Sequence, residues 1–321
     1  MSKNTNKHEE TKQIMEGTFE QRILSFEEQA DFLERKGLTI NDRKFTVHIL
    51  SNISYYRLST YMMPFRERDS KGCVMEEFRP GTSWDDVYGL YIFDRKLRLL
   101  VFDAIERIEV ALRTQIAYQL GAKYGNYWHQ NEEIFHPKDN IAWLLKNQIL
   151  RSIRSNNKNV YNAYCEKNTT PTSWRCMELI TFGDLSRIVK GLKNRADRVD
   201  LARAFGISDD VTFCSWLHTI NYIRNICAHH SRLWNLSLNI RPRQYFHKGG
   251  NLHWFTRREA ETVDTSKMYY TICIIIFILQ TVTPESKFRK KFIKLANDYP
   301  QLDLAAMGIP ANWRESRIWN F

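Results

Sequence analysis

From Trp84 to about Leu120 the chain carries a single unbroken helical pattern. Ser83 and Asp86 form a capping box at its start, apolar Leu97, Val101, Ile105, Ile108 and Leu112 recur at helical spacing, and Gly121 with Gly125 mark its end. Such an element must bury its apolar stripe against further packed layers, and the rest of the chain offers mostly helices for that purpose. Ser25 and Glu28 box the start of FEEQADFLERK, which Gly37 stops. Further helices are predicted over about 41–53, 138–155, 157–168, 173–192, 194–205, 209–230, 266–282 and 285–297, with Ser208 as the cap of the one that opens at 209. SYYRLSTYMMPF (54–65) ends at Pro64, and the polar stretch to Pro80-Gly81 suits a loop or a small hairpin. Alternating strand patterns are scarce, and 13 Gly and 8 Pro in 321 residues favour long elements over tight turns.

The expected fold is therefore all-α, a helical bundle with an additional N-terminal helical lobe. The expected divisions are a polar tail over 1–20, a lobe over 21–80, a helical core over 81–300 and a tail over 301–321. Within the core, 231–265 carries Pro242 and Gly249-Gly250 and reads as irregular. A composition with 43% hydrophobic and 13% aromatic residues can fill a core, which excludes a disordered chain or a disulfide-stapled small domain. The cysteines at 73, 165, 176, 214, 227 and 273 form no C-x-x-C pair, as befits free thiols in a reducing cytoplasm. The opening MSKNTNKHEETKQIMEG has no apolar stretch that would make a signal peptide or an anchor. The most apolar run, Ile272 to Leu279, falls far short of the roughly 20 residues of a membrane span and reads as a buried core helix.

Positive charge is concentrated in one place. Between Asn221 and Arg258 stand seven basic residues, Arg224, Arg232, Arg241, Arg243, Lys248, Arg257 and Arg258, and no acidic one, so this segment supplies +7 of the formal net charge of +11. It also holds His229, His230, His247 and His253, interleaved with Tyr222, Trp234, Tyr245, Phe246, Trp254 and Phe255. Phosphate contacts with base stacking suit such a mixture, and nucleic acid is the expected partner, with His230, Arg232, Arg241 and Arg243 among its contacts. A merely solvated basic face would look the same in sequence.

Inside this segment lies RNICAHHSRLWN, Arg224 to Asn235. On an ideal helix His218, Asn221, Asn225 and His229 fall within roughly 80° of one another, opposite Phe213, Trp216, Ile220, Ile223 and Cys227. Arg224 lies about 140° from His229, so a shared substrate requires its long side chain, an irregular helix end or a second subunit. Arginine with histidine permits transesterification of RNA without a metal. The imidazole activates the ribose 2′-hydroxyl or protonates the leaving 5′-oxygen, and the guanidinium neutralises the phosphorane-like transition state. The products are a 2′,3′-cyclic phosphate and a 5′-hydroxyl. Cys214-x3-His218 with Cys227-x2-His230 imitates zinc spacing, but Cys214 and Cys227 stand about 140° apart on a continuous helix, so no metal and no cofactor is expected.

The long helix carries a second polar stripe, Arg95, Arg98, Glu106, Glu109 and Arg113. Glu109 and Arg113 suit an i,i+4 ion pair, with Arg113 or Glu106 lining the same cleft as His229 as the functional alternative. Tyr55, Tyr56 and Arg57 are either RNA contacts or, for the aromatics, core.

Three runs in order, SNISYYRLSTYMMPF, DRKLRLLVFDAIERIEVALR and RNICAHHSRLWN, resemble the AbiD/AbiF group of bacterial abortive-infection proteins, of the HEPN ribonuclease superfamily, over roughly residues 20 to 240. The resemblance implies a HEPN-like helical core, antiviral defence by damage to cellular RNA, and metal-independent endoribonuclease chemistry. It assigns Arg224, Asn225 and His229 to the superfamily's Arg, polar neighbour and His. It further implies a structured small RNA as guide or antitoxin, and a homodimer, since one convincing copy of the motif is present per chain. A non-catalytic RNA-binding module is the alternative.

Overall fold

Local capping decides where the helices begin. Ser25 accepts from the Glu28 N–H at 3.2 Å while Glu28 accepts from the Ser25 N–H at 2.8 Å, and Ser83 with Asp86 repeats the arrangement at 3.3 and 2.9 Å, as the sequence predicts. A computed structural model describes residues 23–156, 162, 171–246 and 251–321. Among the described residues there are twelve α-helices and one two-stranded hairpin, so the chain is all-α. The tail over 1–20 lies outside them, as does almost all of the helix predicted over 157–168.

The chain divides into two units, Met1–Arg95 and Lys96–Phe321. In the first are α1 (Phe26–Arg35), α2 (Arg43–Asn52), α3 (Tyr55–Met62), the hairpin β1 (Arg66–Arg68) and β2 (Val74–Phe78), and the opening turns of α4 (Trp84–Tyr124). The division falls at residue 95 and not near 80. Trp84, Val87, Leu90 and Phe93 are buried, and the Trp84 N–H donates to Thr39 O at 2.8 Å, which binds the start of α4 into the first unit. Gly37, at φ +90°, turns the chain out of α1. Arg43 then ties α2 to Glu34 at 2.7 Å and to Asp31, and the buried Tyr61 hydroxyl donates to Asp94 at 2.6 Å.

The second unit holds the remainder of α4, then α5 (Ile141–Asn156), α6 (Ser173–Met177), α7 (Phe182–Gly191), α8 (Arg195–Arg203), α9 (Asp210–Ala228), α10 (Arg257–Thr262), α11 (Met268–Val282) and α12 (Phe288–Asp298). Its core forms round α11, in which every residue from Met268 to Leu279 is buried. Trp216 of α9 packs on Phe277 of α11, with ring centroids 5.9 Å apart. No helix among the described residues is long and apolar enough to cross a membrane.

Element ends differ from expectation in several places, and the C-terminal tail does too. Gly121 stays helical, and α4 ends only where Gly125 takes φ +84°. The helix predicted over 173–192 is two, because Thr181 and Asp184 form a fresh capping box. Asp209, not Ser208, caps α9 by accepting from the Thr212 N–H at 2.9 Å, while Ser208 Oγ lies 3.2 Å from the Tyr245 hydroxyl. The last twenty residues are packed: Met307, Ile309, Trp313, Ile318 and Trp319 are buried, and Trp319 Nε1 donates to the Tyr269 hydroxyl at 3.1 Å.

Candidate functional site

Helix α9 is amphipathic in the sense its sequence predicts. Phe213, Trp216, Ile220, Ile223 and Cys227 are buried. His218, Asn225 and His229 are exposed, and Asn221 is half-buried. A Cβ on Gly183 would come within 3.5 Å of the Asn221 amide, so this stripe runs beside the first turn of α7.

The helix ends within the motif. His229 is its C-cap, at φ −89° and ψ 9°, and its N–H donates to Asn225 O at 2.9 Å. His230 follows in the left-handed region at φ +57°, its N–H donating to Cys227 O at 3.1 Å, and the Ser231 N–H closes onto Ile226 O at 3.0 Å. This is a Schellman closure with histidine where glycine is usual. The chain then plunges inward: Leu233 and Trp234 are buried, and Asn235 Oδ1 accepts from Lys267 Nζ at 3.1 Å. Thus RNICAHHSRLWN splits by role. Cys227, Leu233, Trp234 and Asn235 hold the turn, while Asn225, His229 and His230 face solvent. The His229 imidazole has no hydrogen-bond partner among the described residues.

Arg224 is held from α4. Its guanidinium carbon lies 5.8 Å from the Phe102 ring centroid, and its Nε is 3.9 Å from Glu109 Oε2, too long for a hydrogen bond. That Nε–H is buried without an acceptor among the described residues, although 35% of the side chain is exposed. Glu109 Oε1 accepts from Arg113 Nη2 at 3.0 Å, the i,i+4 pair expected from sequence. Arg113 also donates from Nε to Met177 O at 2.7 Å and from Nη2 to Ile180 O at 3.2 Å. With its side chain only 13% exposed, Arg113 fastens α4 to the turn between α6 and α7, so the RNA contact expected of it meets a residue already committed elsewhere.

The basic segment is only partly what its composition suggests. Arg241, Arg243, Arg257 and Arg258 are exposed and Arg232 is half-buried, whereas His247 and Lys248 lie outside the described residues. Most of the interleaved aromatics are core rather than stacking platforms: Trp234, Tyr245, Trp254 and Phe255 are buried. Trp254 packs on Trp216 and Phe277 at 5.3 and 5.1 Å. Phe246 remains 44% exposed beneath the Arg257 guanidinium. Arg243 is pinned at the surface, its N–H donating to Ser215 Oγ at 2.8 Å and its carbonyl accepting from Trp216 Nε1 at 2.9 Å. Arg57 is exposed on α3, in the first unit.

Sequence reading did not find one buried pair, Cys176 Sγ and His129 Nε2, at 3.5 Å. Burial pushes the thiol up to about 12 and the imidazole down to about 4, so both are neutral at pH 7 and the thiolate a nucleophile needs is absent. Burial likewise raises the Cys214 thiol to about 11. No group of three or more His, Cys, Asp or Glu among the described residues could hold a metal ion.

Fold and site together define an all-α protein in which an exposed histidine at a helix end follows, in the same helix, an arginine whose guanidinium is held from a neighbouring helix. The sequence model of the Abi-like protein family matches residues 48–235, more than half of the chain and the whole of α4 to α9, and the chain belongs to that family. It is thereby a protein of abortive-infection type. No curated protein and no solved structure matches it.

Proposed function

We propose that this protein is a HEPN-type, metal-independent endoribonuclease that cuts RNA through Arg224, Asn225 and His229. One observation carries the reading: Glu109 and Phe102 hold the Arg224 guanidinium just over one turn before an exposed, unpartnered imidazole at His229. The exposed part of the Arg224 guanidinium supplies donors for an incoming phosphate oxygen. In the proposed reaction the ribose 2′-oxygen attacks phosphorus and the P–O5′ bond breaks. His229 takes the 2′-hydroxyl proton or supplies one to the departing 5′-oxygen, and Arg224 balances the charge that builds on the phosphoryl oxygens. Asn225, whose carbonyl accepts the His229 N–H, keeps the helix end in register with the phosphate. One motif per chain leads us to expect a homodimer in which both arginines serve a shared phosphate, with a structured small RNA as a further partner.

The test is end-mapping of total RNA from cells that express wild type, His229→Ala or Arg224→Ala, with the lysate in EDTA. Wild type is expected to leave new 2′,3′-cyclic phosphate ends, and His229→Ala to lower cleavage by roughly 10²- to 10⁴-fold while RNA binding survives. Unchanged cleavage in His229→Ala removes that residue from the mechanism. The exposed Arg241, Arg243, Arg257 and Arg258 favour a second reading, a module that holds structured RNA without cutting it. That reading gains if wild type and variants retain the same RNA and none produces new ends.

A further inference from the structure

The C-terminal end of the second unit carries a group of residues that the RNA-cleavage reading does not use. Where α11 turns into α12 there is a half-open cavity of about 330 Å³, within the size range of small-ligand sites. Every lining residue lies beyond 235, outside the stretch that the family model matches.

The cavity has three chemically distinct parts. Its floor is apolar, with the buried Ile276, Leu279 and Phe288. Its rim carries Lys287, Arg289 and Lys290 against one carboxylate, Glu285. Its wall is the Phe321 ring, 43% exposed, which His253 stacks against at 4.4 Å and 8° and which the Arg289 guanidinium overlies at 4.1 Å. That wall is held in place from behind. Arg289 donates to Trp319 O, and the backbone of His253 is clamped by Gln280, a lining residue, which accepts its N–H at 2.7 Å and donates to its carbonyl at 2.9 Å. Lys287 and Lys290, in contrast, are exposed and make no side-chain ion pair or hydrogen bond among the described residues.

With both faces of the Phe321 ring covered by His253 and Arg289, the exposed ring edge and the apolar floor accept a planar ring, and two uncommitted ammonium groups on the rim accept a phosphate. A purely apolar ligand would leave the rim cations unused, and a bare inorganic anion would leave the floor and wall unused. We infer that the cavity between α11 and α12 binds a nucleotide, its base over the apolar floor and against the edge of the Phe321 ring, its phosphate between Lys287 and Lys290. The same chemistry is offered by a free mononucleotide and by the 5′-phosphorylated end of an RNA strand. Neither depends on cleavage at His229.

The experiment is equilibrium binding to the full chain by thermophoresis, with AMP, ATP and a 5′-phosphorylated hexaribonucleotide as probes and adenosine as the phosphate-free control. At least one phosphorylated probe is expected to saturate below about 1 mM, and adenosine to fail. Lys287→Glu/Lys290→Glu, at two exposed positions that leave the fold intact, is expected to weaken that probe by about tenfold or more. Phe321→Ala is expected to weaken it as well. Saturation by the mononucleotides alone identifies a free nucleotide as the ligand, and saturation by the hexamer alone identifies an RNA end. No saturation by any phosphorylated probe, equal binding of adenosine, or unchanged affinity in the double lysine variant overturns the inference.

Discussion

Glu109 of α4 lies 3.9 Å from Arg224 of α9 through one carboxylate oxygen and accepts from Arg113 at 3.0 Å through the other. One carboxylate thus serves two guanidiniums, of which Arg113 also binds two backbone carbonyls and Arg224 keeps a buried N–H without an acceptor. The relationship joins a helix on which Arg113 is a structural fastener to one whose polar stripe faces solvent.

Glu109→Gln keeps the shape and removes the charge. Its side chain is 16% exposed, so the loss is only partly screened, and a fall in unfolding free energy of about 1–2 kcal/mol is expected by chemical denaturation. On the proposed mechanism, RNA cleavage falls further than that destabilisation explains, because Arg224 loses its counter-charge. Cleavage that tracks only the folded fraction would separate Glu109 from the site.

Arg113→Ala and the double variant Arg241→Ala/Arg243→Ala should behave in opposite ways. Loss of Arg113 strands Met177 O, Ile180 O and Glu109, with an expected cost of roughly 2–3 kcal/mol in unfolding free energy. Arg241 and Arg243 are exposed, so the double variant should melt with wild type. Its RNA affinity is expected to depend less on salt, with the log–log slope reduced by about 0.7 for each phosphate contact removed. Salt titrations of RNA binding, alongside melting curves, check both.

His129 gives a pH dependence with a defined sign. Burial holds its folded-state value at about 4 against an ordinary 6.5, so between those values the unfolded chain binds a proton that the native chain does not. Stability therefore falls as pH drops through this window, by about 3 kcal/mol in total from this group. Urea unfolding at stepped pH should show that loss, and His129→Leu, which cannot be protonated, should flatten it.

His230→Gly tests a conformational cost. A side chain at φ +57° pays a steric penalty that glycine avoids, so a gain of about 1 kcal/mol in unfolding free energy is expected. If His230 also contacts RNA, affinity falls while stability rises. A variant that is no more stable than wild type would show that the interaction His230 makes in the folded chain offsets the steric penalty.

Two capping boxes, the buried face of α9 and the buried run Met268–Leu279 of α11 were legible because each depends on residues a few positions apart. The aromatics of 221–258 were misjudged for the opposite reason. In sequence Trp254 and Phe246 are alike, yet one packs on Trp216 and Phe277 and the other stays in solvent, and only partners distant in the chain separate them. The basic group at Lys287, Arg289 and Lys290 was overlooked because its ring partners, His253 and Phe321, stand more than thirty residues away on either side.

Helical periodicity, end signals and the order of its motifs were enough to specify an all-α chain with its polar residues gathered at the end of α9. These follow from short-range sterics and hydrogen bonding, which the covalent order of residues largely dictates. The commitments of individual charged groups do not follow from that order. Arg113 is a fastener and Arg224 a tethered cation because the end of α6 meets Arg113 and α9 meets Glu109 along the same stretch of α4, and the burial that follows determines which polar groups are used up and which remain for a ligand.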